Sequence, residues 1–420
     1  MMRAMQKSVL AMVMAGGRGQ RLHPLTASRA KPAVPFGGQY RIIDFVLSNL
    51  VNSGIYSIYV LTQFKSQSLN EHLQYGWGFG SILRDHFVVP VPAQMQTGDA
   101  WYRGTADAIF QNLNLVRESR PHIVCIFGGD HIYRMDVSQM IAFHEERVAD
   151  CTVAAIPVPL KEASAFGVME VDEDGCITGF EEKPVRPKPM PGDPTRALVS
   201  MGNYVFSGRA LVNLLQRDAD DSRSSHDFGK DVIPGALKDH RIYCYDFTKN
   251  RIPGQSLPNA YWRDVGTIDS YFDASMDLRA VIPDFNLYNP GWPIRSTRYD
   301  DPPAKFVHDA ENRVGRAINS IVCAGTILSG ATVRNSIIGR NVRIHSFAEV
   351  KDCIIFDHVE IGRGAKLERC IVDKNNRIAD GLEVGGGAGA AGHDWTVTPS
   401  GIVVVPKQPR YEGGIGTILI

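Results

Sequence analysis

Val9-Leu10-Ala11-Met12-Val13-Met14-Ala15-Gly16-Gly17-Arg18-Gly19-Gln20-Arg21-Leu22 is the stretch from which the fold is read. Its first six residues are an unbroken apolar run, the pattern of a strand buried on both faces. The chain then turns at Gly16, Gly17 and Gly19, where backbone N–H groups can approach a phosphate with no Cβ in the way. Arg21 and, ten positions on, Lys31 add two cations to that concavity. A P-loop would need Lys-Ser or Lys-Thr after the glycines. A dinucleotide fingerprint would need Gly at position 22, where Leu22 stands. The loop suits a polyphosphate, although a tight strand-to-loop turn would read the same way.

Around this stretch lies a chain of 420 residues, long enough for two domains. Lys plus Arg and Asp plus Glu are 45 each, so no bulk charge points to nucleic acid or an acidic membrane. Any phosphate binding must be local. Seven cysteines without Cys-x-x-Cys spacing fit a reducing compartment and no structural zinc. The first residues run straight into the first strand, leaving no room for a signal peptide, and no apolar run reaches membrane-span length. The expectation is a soluble, cytoplasmic protein.

Beyond the loop, Asp44 is placed to cap a helix carrying Val46, Leu47, Leu50 and Val51 on one face, with Gly54 at its end. Ile55 to Leu61 reads as a second strand, ending at Thr62-Gln63. Residues 64–100, with Trp77 and Phe79 among glycines, read as an irregular lid or surface excursion. Trp101 and Tyr102 precede Gly104-Thr105 at a helix start and read either as core or as walls of a ligand site. Ile123 to Phe127 is another buried strand, and it delivers Asp130 to the carboxyl end of the sheet, where ligands gather. Alternating strands and helices over 1–160 predict a mostly parallel sheet. Further on, Lys183 stands before Pro184 and is expected to be extended. The segments around Ser200, Asp227 and Asp264 mix small, polar and aromatic residues, as the lining of a sugar pocket does.

Residues 284–310, rich in Pro, Asn and Asp, read as a linker. After them Ile321, Ile338, Ile355 and Val372 recur at 17. So do Ile327, Ile344, Ile361 and Ile378, and Val333, Val350, Leu367 and Val384. Steps of six, six and five predict a triangular parallel β-helix whose coils stack their inward aliphatics. Cys353 and Cys370 share this spacing and read as small core residues rather than a disulfide.

A nucleotide-binding α/β domain joined to such a coil resembles the sugar-nucleotide pyrophosphorylases, and most closely their bacterial ADP-glucose branch. The motifs that carry the resemblance span nearly the whole chain. They are Ala15-Gly-Gly-Arg-Gly-Gln-Arg-Leu22, Arg29-Ala-Lys-Pro-Ala-Val34, Arg41-Ile-Ile-Asp-Phe45, Trp101-Tyr-Arg-Gly-Thr-Ala-Asp107, Gly129-Asp-His-Ile-Tyr133, Glu182-Lys-Pro184, Ser200-Met-Gly202, Asp227-Phe-Gly-Lys-Asp231 and Trp262-Arg-Asp-Val-Gly266. One departure is Phe127-Gly128, where relatives commonly have Leu-Ala.

The resemblance implies an α/β, Rossmann-like nucleotidyltransferase domain with a mostly parallel sheet (1–283), a linker (284–314) and a C-terminal left-handed parallel β-helix for regulation and oligomerisation (315–420). It implies that ATP and α-D-glucose 1-phosphate give ADP-glucose and pyrophosphate, the first committed step of glycogen synthesis. Carried over by position, Asp130 and Asp264 would bind Mg²⁺, while Arg21, Lys31 and Asp130 would be the catalytic residues. Gly16, Gly17, Gly19, Arg21, Lys31, Gly104 and Thr105 would hold ATP. Tyr102, Gly167, Glu182, Lys183, Ser200 and Asp227 would contact glucose 1-phosphate. Gln63 and Trp101 would couple regulation to the site, with Arg29 and Arg41 as candidate cations for small-metabolite effectors. A homotetramer is implied.

The chemistry requires no proton acceptor. A sugar phosphate is already largely dianionic near neutrality, its second pKa being about 6. The alternatives are the same reaction with another base or sugar, a non-catalytic regulatory subunit, or an acyltransferase carried by the β-helix.

Overall fold

The structure is a computed structural model that describes residues 8–78, 85–95, 101–255, 260–309, 313–386 and 393–409. Residues 1–7, Phe79 and the rest of 79–84 and 96–100, on which readings above were made, lie outside them. The chain divides into two compact units. The first comprises 1–17, 43–262 and 288–295; the second comprises 18–42, 263–287 and 296–420.

The first unit is built on a twisted sheet. Its strands are β1 (Val9–Met14), β2 (Ser57–Thr62), β3 (Phe87–Pro92), β4 (Ile123–Gly128), β5 (Cys151–Pro159), β6 (Gly167–Val171), β7 (Ile177–Glu182), β8 (Arg196–Ser207) and β9 (Ile242–Asp246). The order is β7-β6-β8-β4-β1-β2-β3, with β5 also pairing β8 and β9 pairing β5. β4, β1, β2 and β3 are parallel to one another, with Val13 between Phe127 and Val60. The long β8 then runs antiparallel to β4, β5 and β6. Central placement explains why Leu10 to Val13 are buried to a residue: a strand covered on both faces has no polar side.

The helices that position the site in this unit include α1 (Ile42–Asn52), α2 (Gln67–Gly76), α3 (Thr105–Phe110), α4 (Leu113–Ser119), α5 (Val137–Glu146) and α6 (Gly208–Asp220). Three expectations need correction here. Asp44 does not cap α1; it lies inside the first turn, fully buried. There its Oδ1 accepts from His72 Nε2 at 2.6 Å and Trp77 Nε1 at 2.9 Å. Nor is 64–100 simply an irregular excursion, since it contains α2, with Leu69, His72 and Leu73 buried, and the edge strand β3. Pro90 and Pro92 disguise β3, yet prolines are tolerated at a sheet edge, where the missing N–H has no ladder partner to lose. Residues 288–295, read as linker, pack within the unit. Trp292 is buried there and donates to Asn49 Oδ1 at 3.1 Å.

The second unit holds the coil. Short parallel strands stack into three sheets, as in a left-handed β-helix, around Val333, Ile344, Val350, Ile355, Ile361, Leu367 and Val372. Each fully buried aliphatic contributes about 1.5–3 kcal/mol over exposure, so inward stacking sets the register. The period of 17 holds from Val333 onward, but the first coil is one residue shorter. Val322, not Ile321, lies beside Ile338, and Leu328, not Ile327, lies beside Ile344. The missing residue falls before the corner. Left-handed Gly330 comes two positions after Leu328, whereas Phe347, Gly364 and Gly381 come three after Ile344, Ile361 and Ile378. Cys353 and Cys370 stack with their sulfurs 3.4 Å apart and are free thiols.

Candidate active site

At the carboxyl end of β1 the amide of Ala15 is held by the Leu61 carbonyl at 2.9 Å. A Cβ on Gly17 would meet nothing within 4 Å, so the peptide is open there. On Gly16 it would come within 3.0 Å of Gln63 Cβ, which puts Gln63 against the glycine turn. Beside them, the Gly129 amide donates to the Met14 carbonyl at 3.0 Å, where a Cβ would lie 2.8 Å from Ile43 Cδ1. That close packing sets Asp130 at the same end of the sheet as the turn. Its carboxylate is 3.7 Å from His131 Nε2 and part-exposed.

In the second unit three of the expected residues meet. Lys31 Nζ donates to Asp264 Oδ1 at 2.9 Å, and Arg21 Nη2 lies 3.9 Å from Asp264 Oδ2. Lys31 is buried at 6 % exposure, while the Arg21 side chain is open to solvent. Gly19 adopts φ 58°, and a Cβ there would stand 2.9 Å from Lys31 Cβ. Gly266 is equally constrained, since a Cβ would lie 2.9 Å from Asp264 Oδ2 and 3.0 Å from Arg21 Nη2.

A second group assembles within the first unit. Thr105 Oγ1 donates to Asp227 Oδ2 at 3.0 Å and accepts from the Phe228 amide at 3.0 Å. Asp227 Oδ1 accepts from the amides of Gly229 and Lys230 at 2.9 and 3.1 Å, closing the turn. Cβ atoms on Gly229 and Gly167 would fall 2.6 and 2.8 Å from Glu182 Oε2, so both glycines make room for that carboxylate. Glu182 Oε1 accepts from Lys183 Nζ at 2.7 Å. Lys183 is not extended as expected. It sits at φ 51°, where its amide closes onto the Phe166 carbonyl at 3.0 Å as the chain leaves β7. Gly104, Thr105, Gly167, Glu182, Lys183 and Asp227 thus form one continuous patch.

The remaining expected residues are placed as follows. Tyr102 is half-buried; its hydroxyl accepts from Asn112 Nδ2 at 2.9 Å, and burial raises its pKa. Ser200 is buried and its Oγ accepts from the Gly202 amide at 3.1 Å. Trp101 is 51 % exposed, which rules out the core reading for it. Arg29 is buried and its Nη2 donates to both carboxylate oxygens of Asp373, at 2.7 and 2.8 Å, with Nη1 unpartnered among the described residues. Burial lowers the pKa of Lys374; Asp357 opposes that, and the charges of Arg41 and Arg29 add to it. His226 and Asp218, which hold the Asp227 turn, were missed; a Ser-Ser-His stretch carries no periodic signal that would find them.

A nucleotidyl transferase model matches residues 10–281. The chain belongs to the nucleotidyl transferase family. It is therefore an enzyme that transfers a nucleotidyl group, and a GlmU-like C-terminal hexapeptide model matches residues 302–405. Among its relatives, the glucose-1-phosphate adenylyltransferase of Thermus thermophilus is 57 % identical over 96 % of this chain and 99 % of its own. That of Deinococcus radiodurans is 53 % identical with the same coverage. Glucose-1-phosphate adenylyltransferase 1 of Vibrio parahaemolyticus is 51 % identical over 96 % of this chain and 98 % of its own. Enzymes of the family generally use a divalent metal. Asp130 and Asp264 each carry hard carboxylate oxygens of the kind such a metal takes, and no group of three or more His, Cys, Asp or Glu comes together among the described residues. No helix among those residues is long and apolar enough to cross a membrane.

Proposed function

We propose that this nucleotidyl transferase joins ATP and α-D-glucose 1-phosphate to give ADP-glucose and pyrophosphate, at the first committed step of glycogen synthesis. The observation that carries this reading is near-complete alignment, at 57 % identity, with a protein named for that reaction. The site chemistry supports it. A phosphate oxygen of the sugar phosphate attacks the α-phosphorus of ATP; the new P–O bond forms as the bond to pyrophosphate breaks. That oxygen is already ionised, so the chain supplies charge and position rather than a base.

Gly16, Gly17 and Gly19 offer backbone N–H groups to the triphosphate, with Arg21 and Lys31 neutralising charge that builds on the departing pyrophosphate. Gly104 and Thr105 lie along the nucleotide. Tyr102, Gly167, Glu182, Lys183, Ser200 and Asp227 take glucose 1-phosphate, with Lys183 on its phosphate. Mg²⁺ is the metal proposed, with Asp130 and Asp264 as its carboxylate ligands; when bound it offsets the repulsion between two anionic substrates. Gln63, set against Gly16, and the exposed Trp101 couple regulator binding to the site. Arg41 is the candidate cation for small-metabolite effectors; Arg29, expected beside it in that role, is instead buried against Asp373. A cytoplasmic homotetramer, with 1–283 catalytic and 315–420 regulatory, completes the proposal.

The test is pyrophosphate release from each of four nucleoside triphosphates with glucose 1-phosphate and Mg²⁺, with and without candidate sugar-phosphate effectors. ATP should be turned over fastest. No release from ATP under any condition, or a preference for UTP or dTTP, overturns the reading.

A further inference from the structure

The patch that holds Thr105 and Asp227 hangs on one loop, Ser224 to Asp231, and that loop is tied down by a residue with no assigned role. His226 is 5 % exposed and adopts φ 57°, a conformation uncommon for a residue with a Cβ. Its carbonyl accepts from the amides of Ala106 and Asp107 at 2.9 and 3.3 Å. It also presses on Gly104, where a Cβ would lie 2.2 Å from that oxygen. One backbone oxygen therefore fixes the start of α3 against the Asp227 turn. Its side chain is tied to α6: Nδ1 lies 2.8 Å from Oδ2 of Asp218, and both side chains are nearly buried. Asp218 Oδ1 accepts from Ser224 Oγ at 2.6 Å, and Ser224 Oγ accepts from the His226 amide at 2.9 Å.

We propose that the Asp218–His226 pair is a positioning device for the transfer reaction, setting where Thr105 and Asp227 present their oxygens to the two substrates. The inference rests on the adenylyl transfer proposed above. The pair lies behind the patch and acts through the backbone at 226. The left-handed conformation is uncommon without a reason, and the buried bond to α6 supplies one: it holds the peptide where its carbonyl spans Gly104 and the first amides of α3. Without it, Thr105 and Asp227 keep their mutual hydrogen bond but lose their fixed distance from the sheet.

The test compares His226→Ala, His226→Asn and Asp218→Asn with the wild-type enzyme. Asn tolerates the left-handed conformation and places an amide nitrogen where Nδ1 stands. His226→Ala should raise the KM of both ATP and glucose 1-phosphate about tenfold or more, since small misplacements are costly in a preorganised site. His226→Asn should recover most of that loss. Thermal midpoints of all variants separate positioning from stability, because a purely structural role would lower the midpoint and leave KM alone. If His226→Ala does not fold, isosteric Asp218→Asn carries the same KM test. Unchanged KM values in a folded His226→Ala or Asp218→Asn, or no recovery with His226→Asn, overturn the inference. A wild-type enzyme inactive on this substrate pair would instead overturn the proposed reaction.

Discussion

The ammonium of Lys31 lies 2.9 Å from Oδ1 of Asp264, although 233 positions separate them. The Arg21 guanidinium stands on the second oxygen of the same carboxylate, at 3.9 Å. Two cations thus hold one anion, and Gly266 is small because they do.

Lys31→Ala should remove a charge-assisted bond to Asp264, whose second oxygen faces the solvent-exposed Arg21 at 3.9 Å. The expected stability loss is about 1–3 kcal/mol, read as a lower midpoint in urea. Turnover with ATP should fall about 100-fold or more if the ammonium also stabilises the departing pyrophosphate. A variant that is destabilised but turns over normally would make Lys31 purely structural.

Asp130→Asn and Lys183→Ala should fail differently. The first should cut turnover while leaving glucose 1-phosphate affinity near normal. The second should raise KM for glucose 1-phosphate, because a point charge binds a phosphate already present in the ground state. Steady-state kinetics with each substrate varied separates them. A near-normal rate for Asp130→Asn removes it from the metal site, and a KM change confined to ATP removes Lys183 from the sugar pocket.

Arg29→Ala should destabilise the second unit strongly. Both carboxylate oxygens of Asp373 take the guanidinium, and both side chains are almost wholly buried. Stranding a buried carboxylate costs about 3–5 kcal/mol. Chemical unfolding should show it. Arg29→Ala paired with Asp373→Ala should recover part of the loss, and failure to recover would mean that packing, not charge, is what Arg29 supplies.

Stability should decline on the alkaline side. Burial pushes the thiols of Cys244 and Cys323 up to about 12 from an ordinary 9.0, and raises Cys125 and Cys151 as well. Above pH 9 the unfolded chain releases these protons and the native chain keeps them. The native state then binds more protons, so its stability falls as pH rises through that window. Urea midpoints followed from neutrality to about pH 10.5 should drop, and a flat profile would show that these thiols reach solvent.

Much of this molecule could be read in one dimension. Val9–Met14 announces a central strand because six apolar residues in a row leave no face for water. The period of 17 announces a coil because every turn repeats the same burial. Even so, the first coil broke the rule by one residue at the Gly330 corner, which aliphatic spacing does not register. β3 was hidden by its own prolines, and Asp44 looked like a cap because burial with His72 and Trp77 leaves no local mark.

The order of apolar runs, the glycine turn and the repeat were set by sequence alone, since each depends on neighbours within a few positions or on a fixed period. Which cation meets which carboxylate was decided only in three dimensions. Lys31 with Asp264, Arg29 with Asp373 and His226 with Asp218 are pairs of charge and hydrogen bonding, and a charge carries no period. Their partners are fixed by strand order and by where the chain returns, and burial then gives each chosen pair its strength.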